Sequence, residues 1–303
     1  MPTVNWQSAI GNCQLPHLLS FDVEEYFHVE AARIPRADWP SYASRLDAPV
    51  DRICSLLTDR GSRATFFVLG WVARSNPSLV RRIAGAGFEI ASHGMTHEMI
   101  CRLDRRQFRA ELTDSRKLLE DIAGAPVVGY RAPTFSVVAS TTWALDELAE
   151  TGYRYDSSVF PVRHDRYGIP GAPTRPHVAV GPGGGRVLEF PPLTLRCLGA
   201  NLPVGGGGYL RLLPVGLVGR ALRAAEHRGQ PGTLYLHPWE FDPDQPDLPM
   251  PARSRWRHRV GLRRTERKLL WLLERFRFDQ IGSWAAAQAA AQLPEHHYPL
   301  AGP

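Results

Sequence analysis

Residues 64–97 read ATFFVLGWVARSNPSLVRRIAGAGFEIASHGMTH, and the order of signals in this stretch decides the fold class. The apolar run at 64–69 is short enough for a buried strand. Asn76-Pro77 then supplies a capping side chain followed by a first-turn proline, and Gly85 and Gly87 close the helix so opened. A second apolar run at 88–92 completes a strand–helix–strand unit and leads into His93 and His97. The rhythm extends in both directions. Upstream, 18–23 reads as a strand, and a polar, aromatic stretch with several prolines delays the next helix to about 48–60, where Val50, Ile53, Leu56 and Leu57 recur at helical spacing before Gly61. Downstream, Asp104 caps an amphipathic helix at 105–122, 127–130 is a fourth strand, and 139–150 is helical. Proline and glycine punctuate 161–185, and the Gly181–Gly185 run reads as a mobile hairpin or loop because it lacks the Lys and Ser/Thr of a phosphate cradle. Residues 187–190 and 233–237 are further strands, separated by an insertion with a helix at 214–226. A helix at 262–275, a strand at 278–281 and an alanine-rich helix from 283 follow. Seven or eight βα-like units without a dinucleotide fingerprint predict an α/β fold, an irregular (β/α) barrel of seven or eight strands. It forms one domain over 1–293, whose part beyond about 161 is an extension built into the fold, with a tail at 294–303.

A chain of 303 residues with 44% apolar content can bury a large core, which excludes intrinsic disorder. No apolar run reaches the roughly 18 residues of a membrane span, and MPTVNWQSAIGNCQLPHLL shows neither a basic leader nor an apolar core with a cleavage site, so a cytoplasmic address is expected. Cysteines at 13, 54, 101 and 197 have neither metal spacing nor disulfide density and are expected as thiols. The net charge of +6 is concentrated: residues 253–277 hold ten Lys and Arg against two Glu, leaving the remainder slightly acidic. Nucleic-acid binding by this segment is disfavoured against a solvated helix face or a subunit contact, since arginine enrichment pervades a chain with Lys117 and Lys268 as its only lysines.

The carboxyl ends of barrel strands converge on one mouth, and the polar residues there are Asp22, Glu24, His93, Arg131 and His237. Asp22 and Glu24 are two apart, so on a strand both carboxylates face the same way. His93 and His97 form H-x-x-x-H; on a helical turn the imidazoles share a face and their nitrogens can meet at one metal. A carboxylate from the first strand would complete a two-histidine, one-carboxylate set, the donor chemistry of zinc, cobalt or iron sites with an open position.

These motifs, in this order, resemble a polysaccharide deacetylase of the NodB-homology type, and more closely the subgroup associated with exosortase and exopolysaccharide loci. The resemblance covers about residues 15–290 and is carried by 20–30, 64–69, 89–97, 129–136, 154–161 and 235–240, with the later portion similar to the subgroup's carboxyl-terminal extension. It implies that Asp22 is the general base and that His93 and His97 bind the metal, most simply Zn2+. Where relatives commonly carry adjacent aspartates this chain has Asp22-Val23-Glu24, which makes Glu24 the implied third ligand, with Glu25 or a water as alternatives. Gly94 stands where relatives often have a small hydroxyl residue. Arg131 matches the arginine that orients the base, the Thr134 N–H matches a donor to the developing oxyanion, and His237 matches the general acid. Trp239 offers an apolar face for a sugar ring, with core or rim packing as the alternative, and Asp156 resembles a supporting acid, with turn capping as the alternative. The implied reaction is de-N-acetylation of an N-acetylhexosamine in an exopolysaccharide or a lipid-linked precursor, which would bring the protein to the inner-membrane surface. Two readings stand beside it: a metal-dependent hydrolase of a small cyclic or linear amide, and a catalytically silent glycan-binding or scaffold protein. Oligomeric state is not legible.

Overall fold

The computed structural model describes residues 15–164, 166–287 and 293–300; the amino-terminal stretch with Cys13 and the last three residues of the expected tail lie outside these. The first element among the described residues is β1 (His17–Val23), buried along its whole length. It alternates through α1 (Asp47–Thr58), β2 (Thr65–Val68), α2 (Gly70–Ser75), α3 (Pro77–Gly85), β3 (Glu89–Ser92), α4 (Arg105–Ala123), β4 (Gly129–Tyr130), α5 (Ala144–Glu150) and β5 (Tyr155–Asp156). Then come β6 (His177–Val180), β7 (Arg186–Glu189), β8 (Thr194–Cys197), β9 (Ala200–Pro203), α6 (Gly207–Leu212) and α7 (Val215–Glu226). The chain continues through β10 (Thr233–Leu236), α8 (Ala252–Arg259), α9 (Thr265–Leu273), β11 (Phe278–Asp279), α10 (Ile281–Ala287) and β12 (Glu295–His297). The sheet order is β10-β1-β2-β3-β4-β5-β7-β6-β12, with β11 also on β1. Seven strands, β10 through β7, run parallel. This mostly parallel sheet carrying helices is the architecture expected of the irregular (β/α) barrel class.

Local chemistry explains the best-read elements. Asn76 accepts a hydrogen bond from the Leu79 N–H at 3.1 Å with Pro77 in the first turn of α3. Asp104 and Gln107 form a reciprocal capping box on α4, which ends at Gly124 with φ 66°. Side chains of β1 alternate: Leu19, Phe21 and Val23 pack with Val50, Ile53, Leu79 and Leu112 from the helices, whereas Leu18 joins Phe67, Ala91, Tyr155 and Phe190 on the other face. Ser20 and Asp22 share that second face. The register pairs Phe21 with Leu236 and Phe66, Val68 with Ser92, and Ser92 with Tyr130. Asp22, His93, Arg131 and His237 therefore emerge at one level, at the carboxyl ends of neighbouring strands.

Three expectations are corrected. The helix expected at 139–150 begins only at Ala144, because Thr141 folds back on Ser136 and Val138 in a turn. The segment from His93 to His97 is a loop and not a helical turn: Gly94 has φ 76° and His97 φ 57°, which interrupt helical backbone. The tail expected from 294 contains β12, which pairs parallel with β6 and brings Tyr298 to 2% exposure. Its hydroxyl lies 2.7 Å from His177 Nε2, while Arg186 forms an ion pair with Glu295 at 2.7 Å. The glycine run at 181–185 does form a hairpin, β6 to β7, where the Gly183 and Gly185 N–H groups donate to Asp146 at 2.9 Å each. If β12 is integral to the sheet, Tyr298→Ala costs about 3–5 kcal/mol, the range for deleting a buried aromatic ring. Chemical denaturation checks this, and an unchanged midpoint would show that the segment adds nothing to the fold.

Candidate metal and catalytic site

Strand β1 ends by placing two carboxylates at the mouth, Asp22 at 2% and Glu24 at 3% exposure. Glu24 faces the histidine loop: its Oε2 lies 2.5 Å from His97 Nε2 and 3.7 Å from His93 Nε2. Ligand atoms of Glu24, His93 and His97 all fall within 4.8 Å of one another. His93 Nδ1 lies 2.8 Å from the Arg131 carbonyl oxygen. A carbonyl only accepts, so Nδ1 carries the proton and Nε2 presents its lone pair toward Glu24. That is the arrangement by which an outer hydrogen bond fixes the tautomer of a metal-binding histidine. Two imidazoles and a carboxylate, buried together without a thiolate, suit a divalent transition cation. Burial alone would lift the Glu24 carboxyl, but the charge of His97 beside it leads in holding it well below the usual carboxylate range. Glu25, the alternative third donor, faces elsewhere: it accepts from Ser44 Oγ and from the Arg45 N–H at 3.1 Å, and burial pushes it up to about 7.

The histidine loop is pinned by a residue that the sequence did not single out. Glu111 on α4 accepts the Met95 N–H at 2.7 Å, the Thr96 N–H at 2.9 Å and the Thr96 hydroxyl at 2.6 Å. Gly94 keeps a hydroxyl contact through its own N–H, which donates to Ser92 Oγ at 3.2 Å, and its positive φ is what the departure from a hydroxyl residue accommodates.

Asp22 is held from below by Arg131, which is fully buried. The Arg131 Nη1 donates to Asp22 Oδ1 at 2.7 Å and to Ser20 Oγ at 2.8 Å, while Nη2 reaches Ser157 Oγ at 2.7 Å. The guanidinium also sits 4.2 Å from the centroid of the Phe67 ring. Asp156 lies deeper, accepting from Ser158 Oγ at 2.5 Å, and Ser158 Oγ accepts the Ala132 N–H at 2.8 Å. Asp156 thus braces the loop after β4. Its partner is Glu189 on β7, which sequence reasoning missed. Burial raises both carboxyls, Asp156 to about 6, and the charge of Asp156 adds to the rise on Glu189. Thr134 and Phe135 follow in left-handed backbone, φ 56° and 53°, and both line the cleft, as does His97. Non-glycine residues held there carry strain of a kind that concentrates at functional sites.

Across the cleft, His237 Nε2 lies 3.9 Å from Asp22 Oδ2 and 3.8 Å from Glu24 Oε1, while Nδ1 is 2.6 Å from Glu240 Oε1. Burial works against a charged imidazole here, yet the Glu240 hydrogen bond and the charges of Glu24, Glu240 and Asp22 outweigh it and raise His237 to about 9. Glu240 is in turn fixed by Arg211 Nε at 2.8 Å, and Arg211 Nη1 is tied to the carbonyls of His258 and Val260 at 2.8 Å each. Neither Glu240 nor Arg211 was read from the sequence as part of the site, although Glu240 completes H-P-W-E three residues after the histidine. Trp239 departs from the expected open sugar platform. It is 6% exposed, its ring stacks on His237 and His258 with centroids 5.0 and 4.5 Å away, and its indole N–H donates to Glu24 Oε1 at 3.3 Å. An indole committed to two imidazoles and a carboxylate has little face to offer a ligand.

These groups line a cleft of about 500 Å³ whose walls include Tyr167, Tyr209, Leu212, Met250 and Arg257. The Tyr167 and Tyr209 hydroxyls are 3.3 Å apart, and Leu212, 45% exposed, marks where the cleft meets the surface.

Parts of the chain are similar to known proteins. Residues 44–155 match the family model described as Polysaccharide deacetylase, and residues 157–286 match one described as Domain of unknown function (DUF3473). The chain carries a polysaccharide deacetylase domain of the NodB-homology type, continued by the DUF3473 region. Among curated relatives, it is 31% identical over 112 residues to the peptidoglycan deacetylase-like protein FGM2 of Gibberella zeae, covering 36% of this chain and 32% of that one. It is 27% identical over 97 residues to the peptidoglycan-N-acetylglucosamine deacetylase of Bacillus cereus, covering 32% of this chain and 35% of that one. These alignments span about a third of the relatives' own length. A crystal structure from Mycobacterium smegmatis, of a protein assigned as a polysaccharide deacetylase, covers 96% of this chain and 99% of its own with a TM-score of 0.59 at 22% identity, a likeness of fold. No helix among the described residues is long and apolar enough to cross a membrane.

The His237 environment gives a direct test. Glu240→Gln removes a charge that raises the imidazole, so its pKa falls from about 9 toward or below the ordinary histidine value. Proton NMR of the metal-free protein follows the ring, and an unchanged titration would show that Glu240 does not set it.

Proposed function

We propose that the protein removes the N-acetyl group from hexosamine units of a glycan by metal-dependent hydrolysis, releasing acetate. The observation that carries this reading is the placement of a buried, arginine-held carboxylate, Asp22, between the Glu24/His93/His97 donor set and His237. When bound by Glu24, His93 and His97, a divalent cation, zinc being the simplest choice, supplies Lewis acidity to the amide carbonyl and to water.

The chain's own residues account for the proton movements. Arg131 occupies Asp22 Oδ1, which leaves Oδ2 to accept a proton from the attacking water. The same guanidinium fixes the orientation of the carboxylate. The N–H of Thr134 serves as a fixed donor to the oxyanion of the tetrahedral intermediate. His237, its Nδ1 hydrogen-bonded to Glu240, then delivers a proton from Nε2 to the departing amine. Trp239 positions Glu24 through its indole N–H, and Asp156 with Glu189 supports Arg131 from behind.

The names of the curated relatives, deacetylases of peptidoglycan and chitooligosaccharide, favour an N-acetylated glycan over a small cyclic amide. So does a cleft that opens past Leu212 to the surface. We assign an exopolysaccharide or its lipid-linked precursor as the substrate and the cytoplasmic side of the inner membrane as the place of action, on the resemblance of the DUF3473 region to the extension of the exopolysaccharide-associated subgroup.

Metal-reconstituted protein is expected to release acetate from N-acetylated hexosamine oligomers. Asp22→Asn should retain metal and lose about 10²- to 10⁴-fold in turnover, the usual consequence of deleting a positioned base. Near-normal turnover by that variant would remove Asp22 from the role. Absence of acetate release from every glycan offered, with metal bound, would favour the silent glycan-binding reading.

A further inference from the structure

The basic segment noted in the sequence separates, in the fold, into neutralised and unneutralised charges. Arg259 pairs with Asp247 at 2.6 Å, Arg263 with Asp244 at 3.1 Å and Arg275 with Glu274 at 3.1 Å. Lys268 caps the end of α6 through the carbonyls of Leu210, Arg211 and Leu213 at 2.7–2.8 Å. Helix α8 turns one face to the cleft, where Ser254, Arg257 and His258 line it at helical spacing after Met250. Arg257 is exposed and has no carboxylate within ion-pair distance among the described residues. Arg166, from the loop after β5, is also exposed, lines the same cleft and likewise lacks such a partner among the described residues. Glu30, the cleft-lining carboxylate outside the Asp22/Glu24 floor, is already bound by Arg102.

Resting on the deacetylase reading, we propose that Arg166 and Arg257 form an anion subsite at the cleft rim, so that the preferred substrate is an anionic glycan with a carboxylate or phosphate group close to the reacting N-acetyl sugar. Guanidinium groups suit this task because their paired N–H donors match the oxygens of either group. Their position beyond the Asp22/Glu24 floor separates recognition from hydrolysis. The acetamide lies at the floor, and a neighbouring residue of the strand, or a phosphate on the reducing end, reaches the rim.

The test compares kcat/KM of the metal-loaded protein for three N-acetylated oligosaccharides of equal length: neutral, uronate-containing, and bearing a 1-phosphate. At low ionic strength wild type should prefer one or both anionic substrates, about tenfold for each arginine engaged, and the preference should shrink as salt is raised. A preference for the uronate alone identifies a charged polymer; for the phosphate alone, a phosphate-linked precursor. Arg166→Gln and Arg257→Gln should each reduce the ratio of anionic to neutral kcat/KM, and the double variant should bring it close to one. Arg253→Gln, on the same helix but off the cleft, should leave the ratio intact. Equal efficiency on all three substrates, or a preference that survives in the double variant, would overturn the subsite. Calorimetric binding of the same oligosaccharides separates the two claims: anion-selective binding lost in the double variant, without acetate release, would sink the deacetylase reading and leave the subsite standing.

Discussion

The site depends on one buried cation. Arg131 has no exposed surface, yet it carries a full charge into the centre of the sheet, where a lone guanidinium would be costly. Its cost is met by hydrogen bonds to Asp22, Ser20 and Ser157 and by the faces of Phe67, Phe135 and Tyr235 around it. Because these partners come from β1, β2, β10 and the loops after β4 and β5, the guanidinium can be satisfied only when the parallel strands are in register. Its backbone carbonyl also accepts from His93 Nδ1. One residue therefore aims the carboxylate on one side and fixes the tautomer of a candidate metal ligand on the other.

Around that cation the electrostatics are layered. Behind it lie Asp156 and Glu189, two carboxyls that burial pushes upward, the charge of Asp156 adding to the rise on Glu189. In front, Glu24 and Asp22 face His93, His97 and His237, and a second relay of Arg211, Glu240 and His237 mirrors the Arg131–Asp22 pair from the opposite wall. Asp22 and His237 are thus each gripped by a charged partner, Arg131 and Glu240. In the proposed reaction, such preorganisation would fix the geometry at the place where charge develops.

The four strands through Tyr130 and the helices α1, α3 and α4 were legible because their signals are local: the Asn76-Pro77 start, the Asp104 cap, and the short apolar runs. The strand-end residues were legible for the same reason, since parallel strands bring their carboxyl ends together whatever the details of packing. Long-range contacts were not. Glu111, Glu189 and Arg211 act across the fold, and nothing in their immediate neighbours sets them apart from surface charges. The burial of Trp239 comes from residues far off in the sequence, Tyr26, Phe27, Trp39 and Leu262 in its cluster and the His258 ring stacked on it, which its neighbours in the chain do not announce. The segment at 295–298 looked like a tail because three residues are too few to show strand periodicity, and its place is fixed by pairing with β6 and by the Tyr298–His177 contact. The loop from His93 to His97 departed from a helical turn because its backbone follows Gly94 and the Glu111 clamp rather than the spacing of its histidines.

The central claim is that Glu24, His93 and His97 hold one catalytic cation beside Asp22. X-ray absorption at the zinc edge, on protein reconstituted with one equivalent of zinc, tests it most directly. The expected spectrum has a nitrogen and oxygen shell at about 2.0–2.1 Å, the usual range for such ligands, with the scattering of two imidazoles, reduced to one in His93→Ala or His97→Ala. A sulfur shell, or a two-imidazole signal unchanged in both variants, would contradict the account.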